Sequence, residues 1–221
     1  MFISFEGGEG SGKTTVINKL KETLIKANKS VYVTREPGGT KISEAIRHIL
    51  LDNNSNMSFH TEALLFAASR AEHIDEVIKE KLKTHDIVIT DRFLDSSIAY
   101  QAFGRDLGVE FILKINDYAL KYMPDVTFYI DVEPKDGLAR TKNRGKSDRL
   151  DNEALSFHEK VRNGYLEVAK MYPERIITID GDGTVDDIYE RVLVHLRKML
   201  WKINLYIFKK LLKTIVCHIF I

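Results

Sequence analysis

Gly7-Gly8-Glu9-Gly10-Ser11-Gly12-Lys13-Thr14 decides how this chain is read. The eight residues fit the pattern G-x-x-x-x-G-K-[ST]. A chain of 221 residues with ordinary glycine content shows that pattern by accident on the order of 1% of the time. The flanks narrow the reading further. Phe2-Ile3-Ser4-Phe5-Glu6 reads as a short buried strand, and Thr15 to Asn28 carries helical periodicity through Val16, Ile17, Leu20, Leu24 and Ile25. A glycine-rich turn between strand and helix aims backbone N–H groups at one point, where the helix N-terminus adds positive potential. Residues Gly7 to Thr15 therefore form a candidate cradle for a nucleotide polyphosphate. Lys13 would reach the terminal phosphates and the Thr14 hydroxyl would ligate Mg²⁺.

The bulk properties suit one α/β domain. Charge nearly cancels at +1, which argues against a nucleic-acid binder working through a strong basic field. The balance is uneven: residues 200–221 hold four lysines and no acid, leaving residues 1–199 at −3. One cysteine, Cys217, forms no internal disulfide and suits a reducing compartment. The first residues enter a strand with no signal-peptide core, so the cytoplasm is the expected location.

Four more apolar runs look like interior strands: Val31–Thr34, Ile87–Asp91, Val126–Asp131 and Ile176–Asp180. Helical stretches are expected at 41–51, 61–82, 96–104, 109–122, 134–143, 153–171 and 184–199. Apolar strands alternating with helices predict a five-stranded parallel sheet covered on both faces. Ligands of such sheets bind beyond the carboxyl ends of the strands. The residues at those ends are the glycine-rich loop, Arg35-Glu36-Pro37-Gly38-Gly39, Asp91-Arg92-Phe93 and Asp131, and most carry charge suited to phosphate or Mg²⁺.

These segments, with Leu65-Phe66-Ala67-Ala68-Ser69-Arg70 and Asp95-Ser96-Ser97-Ile98-Ala99-Tyr100-Gln101, resemble the bacterial thymidylate kinase family. The resemblance runs from residue 1 to about 199. It implies a three-layer phosphate-loop fold with a helical lid, transfer of phosphate from ATP to dTMP, and a cytoplasmic homodimer. Phe66 would stack on thymine, worth ~1–3 kcal/mol. Arg70, one turn on along the same helix face, has only N–H donors and would favour O4 of thymine over the amine of cytosine. Ser97 and Gln101 offer acceptors for N3–H, Tyr100 would lie under the sugar, and Glu9 would contact the 3′-hydroxyl. Arg35, Arg47 and Arg92 would hold the acceptor phosphate, since arginine forks fit its oxygens. Asp91 would associate with Mg²⁺ beside Thr14. Taken without the resemblance, Phe66 reads as core, Arg70 as a solvated face near Glu62 or Glu72, and Asp91 as a cap or surface carboxylate. The family often has a cis proline in the Glu36-Pro37 turn; the residues themselves leave the isomer open.

Residues 140–151, Arg-Thr-Lys-Asn-Arg-Gly-Lys-Ser-Asp-Arg-Leu-Asp, are dense in cations and broken by Gly145. The family places its transition-state arginine in the phosphate loop or in the lid. Gly10 follows Glu9 here, so the lid must supply it, Arg144 first and Arg149 next. Beyond the family's expected end, Ile203, Ile207, Leu211, Leu212, Ile215 and Ile219 recur at helical spacing against Lys202, Lys209, Lys210 and Lys213. Lysines interrupt each apolar stretch, so the pattern suits a membrane surface or a partner helix better than a span. Three other readings stay open: a kinase of another monophosphate, a GTPase-like switch, and a non-catalytic scaffold that kept the fold, against which Lys13, Thr14, Asp91 and the lid arginines argue. No N-K-x-D guanine motif supports the switch. The seven histidines show no metal-ligand spacing with cysteine.

Overall fold

The computed structural model describes residues 1–142 and 148–199. Its order is β1 (Phe2–Glu6), α1 (Lys13–Lys26), β2 (Val31–Arg35), α2 (Lys41–Leu51) and α3 (Phe59–His73). A π-helical turn, Ile74–Ile78, leads into α4 (Lys79–Thr84), β3 (Ile87–Asp91) and α5 (Leu94–Ser97). A second π-helical stretch, Ile98–Gly104, precedes α6 (Val109–Ile115), α7 (Asp117–Leu120) and β4 (Val126–Asp131). The chain continues through α8 (Pro134–Lys142), α9 (Leu155–Met171) and β5 (Ile176–Asp180) to a last helix over 185–199. No helix among the described residues is long and apolar enough to cross a membrane.

All five strands run parallel in the order β2-β3-β1-β4-β5. The expected sheet is therefore present. Two of its strands differ from the sequence reading: β2 and β5 are edges and only partly buried, so their apolar runs are not interior strands. Alternation splits the core between the two faces. Ile3 and Phe5 face one side, with Ile89, Phe128 and Ile130, under α1 and the last helix. Phe2, Val88 and Tyr129 face the other, under α9 and the Ile98–Gly104 stretch.

Two helices depart from the expected boundaries. The stretch 61–82 is not one helix; it widens at Ile74–Ile78. The helix expected over 109–122 breaks at Asn116, whose Nδ2 donates to the Ile112 carbonyl while its Oδ1 accepts from Arg70. That side chain answers to a partner 46 residues away, which no local pattern records. Register fixes the rest of the site. Phe5 pairs with Asp91 in β3, and Asp91 with Arg35 in β2. The carboxyl ends of three adjacent strands thus meet at one edge.

Candidate active site

The loop after β1 turns sharply enough that only glycine fits at two points. Gly7 has φ +151, and a Cβ there would lie 2.6 Å from the Ile130 carbonyl. Gly10, at φ +67, lies against α8: its Cβ would come within 2.0 Å of the Gly137 carbonyl. Gly12 caps α1 without a side-chain bond, so the first N–H groups of that helix have no capping side chain. Lys13 is buried and donates to the carbonyls of Gly7 (3.0 Å) and Gly8 (3.1 Å) and to Ser11 Oγ (3.2 Å). Burial, and next Arg92, push its pKa down.

Thr14 Oγ1 donates to Asp91 Oδ2 at 3.1 Å. One hydroxyl and one carboxylate side by side at the loop's mouth fit Mg²⁺, which takes one or two protein oxygens and fills its octahedron with phosphate and water.

Arg92 sits at φ +72, a left-handed backbone that costs a non-glycine residue ~1–2 kcal/mol. Its neighbours hold it there. Nη2 donates to Glu9 Oε1 (2.6 Å) and Tyr100 OH (3.1 Å), and Nη1 to the Gly7 carbonyl (3.0 Å) and Tyr165 OH (3.0 Å). Burial opposes the charge on Glu9, but Arg92, Lys13 and the Tyr100 hydroxyl outweigh it and hold the carboxyl at about 2. Arg47 donates to the Pro37 carbonyl (2.8 Å). Burial and then Arg35 lower its pKa, with Arg92 adding to the effect. Three cations near enough to feel one another make a site for an anion. Arg35 itself is half exposed and bonded to Glu44 at 2.9 and 3.1 Å. The Glu36-Pro37 bond is cis.

Phe66 and Arg70 stand one turn apart on α3. Phe66 packs partly buried on the core beside the cleft. Arg70 is not a solvated face: it is 2% exposed, and its ion pair is with Glu36 rather than Glu62 or Glu72. Nε donates to Glu36 (2.8 Å), Nη1 to Asn116 (2.7 Å), and Nη2 to the Phe93 carbonyl (3.1 Å) and Ser97 Oγ (3.0 Å). Of the five N–H groups of a guanidinium, one is left without an acceptor among the described residues. Gln101 Nε2 donates to Glu62 Oε1 at 2.9 Å.

These groups share one cleft of about 250 Å³. It is lined by the loop from Glu9 to Thr15 and by every acceptor-side residue named from the sequence. Arg149 is not among the lining residues although Asp148 and Leu150 are: it donates to the Leu50 carbonyl (2.9 Å) and Glu62 (2.7 Å). Arg144 lies outside the described residues. Sequence reasoning gives no role to Asn116 or Tyr165 and names Glu62 only as a surface neighbour of Arg70. Glu36 reads from the sequence only as part of a turn; its pairing with Arg70, 34 residues on, leaves no local signal.

A glycine-rich phosphate loop, buried Lys13 and a cluster of arginines around one cleft suit the class of phosphate-loop nucleotide kinases. Residues 5–192 match the family model for thymidylate kinase. The chain is 56% identical over 203 residues to the thymidylate kinase of Acholeplasma laidlawii, covering 90% of this chain and 100% of that protein. It is 48% identical to that of onion yellows phytoplasma over 203 residues, 90% and 98% of the two chains. The crystal structure of thymidylate kinase from Ehrlichia chaffeensis matches at TM-score 0.73 and 36% identity, covering 89% of this chain and 98% of that one. The chain belongs to the thymidylate kinase family. Its activity is ATP-dependent phosphorylation of dTMP to dTDP.

Proposed function

We propose that this cleft performs the transfer in line, with ATP on the Gly7–Thr15 loop and dTMP between Phe66, Arg70 and Gln101. The observation that carries the reading is the shared cleft: Lys13, Arg92 and Arg70 line one space. Lys13 holds the terminal phosphates of ATP. Arg92, aided by Arg35 and Arg47, holds the acceptor phosphate; its Nε–H has no acceptor among the described residues. Thr14 and Asp91 hold Mg²⁺, which neutralises charge on the transferring phosphoryl group when bound. The free N–H of Arg70 donates to thymine O4, Ser97 and Gln101 complete the base edge, and Tyr100 and Glu9 bracket the sugar. Catalysis is positioning plus electrostatics, with no covalent enzyme intermediate.

The lid, 140–151 within a domain of 1–199, supplies the transition-state donor through Arg144. Arg149 is the second candidate, and it would have to leave Glu62 to serve. Arg144→Ala then lowers kcat roughly 10²–10³-fold, the effect of losing one transition-state donor, with dTMP affinity little changed. Unchanged kcat reassigns the role. For the substrate, ADP release is measured across dTMP, dUMP, UMP, dCMP and AMP. dTMP gives the highest kcat/KM; any other winner defeats the assignment.

The same reading makes the protein a cytoplasmic homodimer. Exposed Ile42, Ile49, Phe59 and Leu64 all lie on α2 and α3, which supports a subunit surface there; light scattering of the purified chain measures it. Residues 200–221 lie outside the described residues. Their basic amphipathic pattern supports contact with a membrane surface or partner helix, and equal liposome co-sedimentation with and without them ends the membrane version.

A further inference from the structure

Glu62 does not line the cleft, yet it holds a residue that does. It is fully buried. Arg105 donates to both its oxygens, through Nε at 3.3 Å and Nη2 at 3.1 Å, and Arg149 donates to Oε2 at 2.7 Å. Two guanidinium groups keep the carboxylate charged: burial opposes ionisation, but the bonds from Arg105, Gln101 and Arg149 prevail and its pKa falls. A charged carboxylate only accepts. The amide of Gln101, 2.9 Å away, must therefore present N–H to Glu62. Its carbonyl oxygen is thereby turned from Glu62, and Gln101 lines the cleft.

We propose that Glu62 is a positioning residue for base choice: it fixes the Gln101 amide so that the cleft meets an acceptor, selecting a base whose edge donates N–H. This rests on the reading that Gln101 faces the base. Thymine carries a proton on N3; cytosine carries a lone pair there, and two acceptors then face each other without a hydrogen. A buried site built for one partner rejects the other because polar groups are left unpaired. Glu62→Gln removes the constraint, since an amide either donates or accepts.

The test compares kcat and KM for dTMP and dCMP in the full chain for wild type, Glu62→Gln, Glu62→Asp and Gln101→Met. In Glu62→Gln, KM for dTMP rises more than kcat falls, and the dTMP:dCMP ratio of kcat/KM drops at least about 10-fold. General damage to the fold lowers both substrates alike and leaves the ratio unchanged, which overturns the proposal. Should Glu62→Gln not fold, Glu62→Asp keeps a negative charge beside Arg105 and Arg149 but draws the carboxylate back by one methylene, so the bond to Gln101 lengthens; the ratio falls in that variant too, and an unchanged ratio is again fatal. Gln101→Met separates the two levels. If it alters neither KM nor the ratio, Gln101 does not face the base and both readings fall. If it alters them while the Glu62 variants do not, only the Glu62 proposal fails.

Discussion

At the scale of single residues, the cleft is built from charges whose partners are far away in sequence. Arg70 shows what this means for stability. Its guanidinium meets Glu36, Asn116, Ser97 and the Phe93 carbonyl, and Glu36 also bonds the buried His73. Arg70→Met strips Glu36 of its main counter-charge in the interior. Removing one partner of a buried pair costs about 3–5 kcal/mol, so the urea midpoint falls accordingly. KM for dTMP rises roughly tenfold or more, the loss of a hydrogen bond from a charged donor. A variant with wild-type stability contradicts the network. The residues that would touch nucleotide were legible in the sequence because each sits in a short patterned segment: Lys13 in its loop, Arg92 after a strand-end acid, Phe66 and Arg70 one turn apart. Their supports were not legible. Gln101 finds Glu62 across 39 residues and Arg70 finds Asn116 across 46, and only the folded chain reveals such distances.

Among the elements, the strands followed their pattern closely and the helices did not. Each strand is a short, mostly apolar run between turn residues, which a sequence reading finds even though β2 and β5 prove to be edges. The helices include two π-helical stretches and a break at Asn116; the stretch Ile98–Gly104 brings Tyr100 and Gln101 to the cleft, and such wide turns cluster at functional sites. Helix α8 carries the strongest test at this scale. Gly137 lets it lie directly on the phosphate loop, and a Cβ there would stand 2.2 Å from the Glu9 carbonyl. Alanine is the better helix former by ~1 kcal/mol, yet backbone contact at that distance must give way. Gly137→Ala therefore displaces the loop and lowers kcat/KM for ATP about 10- to 100-fold, in the range that a misplacement of about 1 Å produces, with dTMP KM changing less. Unaltered ATP kinetics exclude a role for this contact.

For the whole molecule, carboxyls with shifted pKa values make stability depend on pH from both sides. Burial, reinforced by Asp95, raises Glu6 to about 7, and burial chiefly raises Asp151 to about 6. A raised native pKa means the folded state holds the proton longer, so stability falls as pH climbs from the unfolded value, near 4 to 4.5, to about 7. Glu9, held at about 2, acts the other way and withdraws stability below pH 4.5. Burial lowers His158, which offsets part of the decline below its ordinary value. Glu6→Gln has no proton to lose, so its Tm changes less between pH 5.5 and 8 than the wild type's, by several degrees at ~2–4 °C per kcal/mol. Parallel profiles for the two proteins rule out Glu6 as the source. The pairing of Phe5 with Asp91, and of Asp91 with Arg35, has a different bearing. Slipping β3 by one residue carries Asp91 about 3.3 Å along the sheet and turns its side chain to the opposite face. Turnover and correct strand alignment are thus a single specification, and the specific activity regained after refolding counts the chains whose sheet has closed in native register.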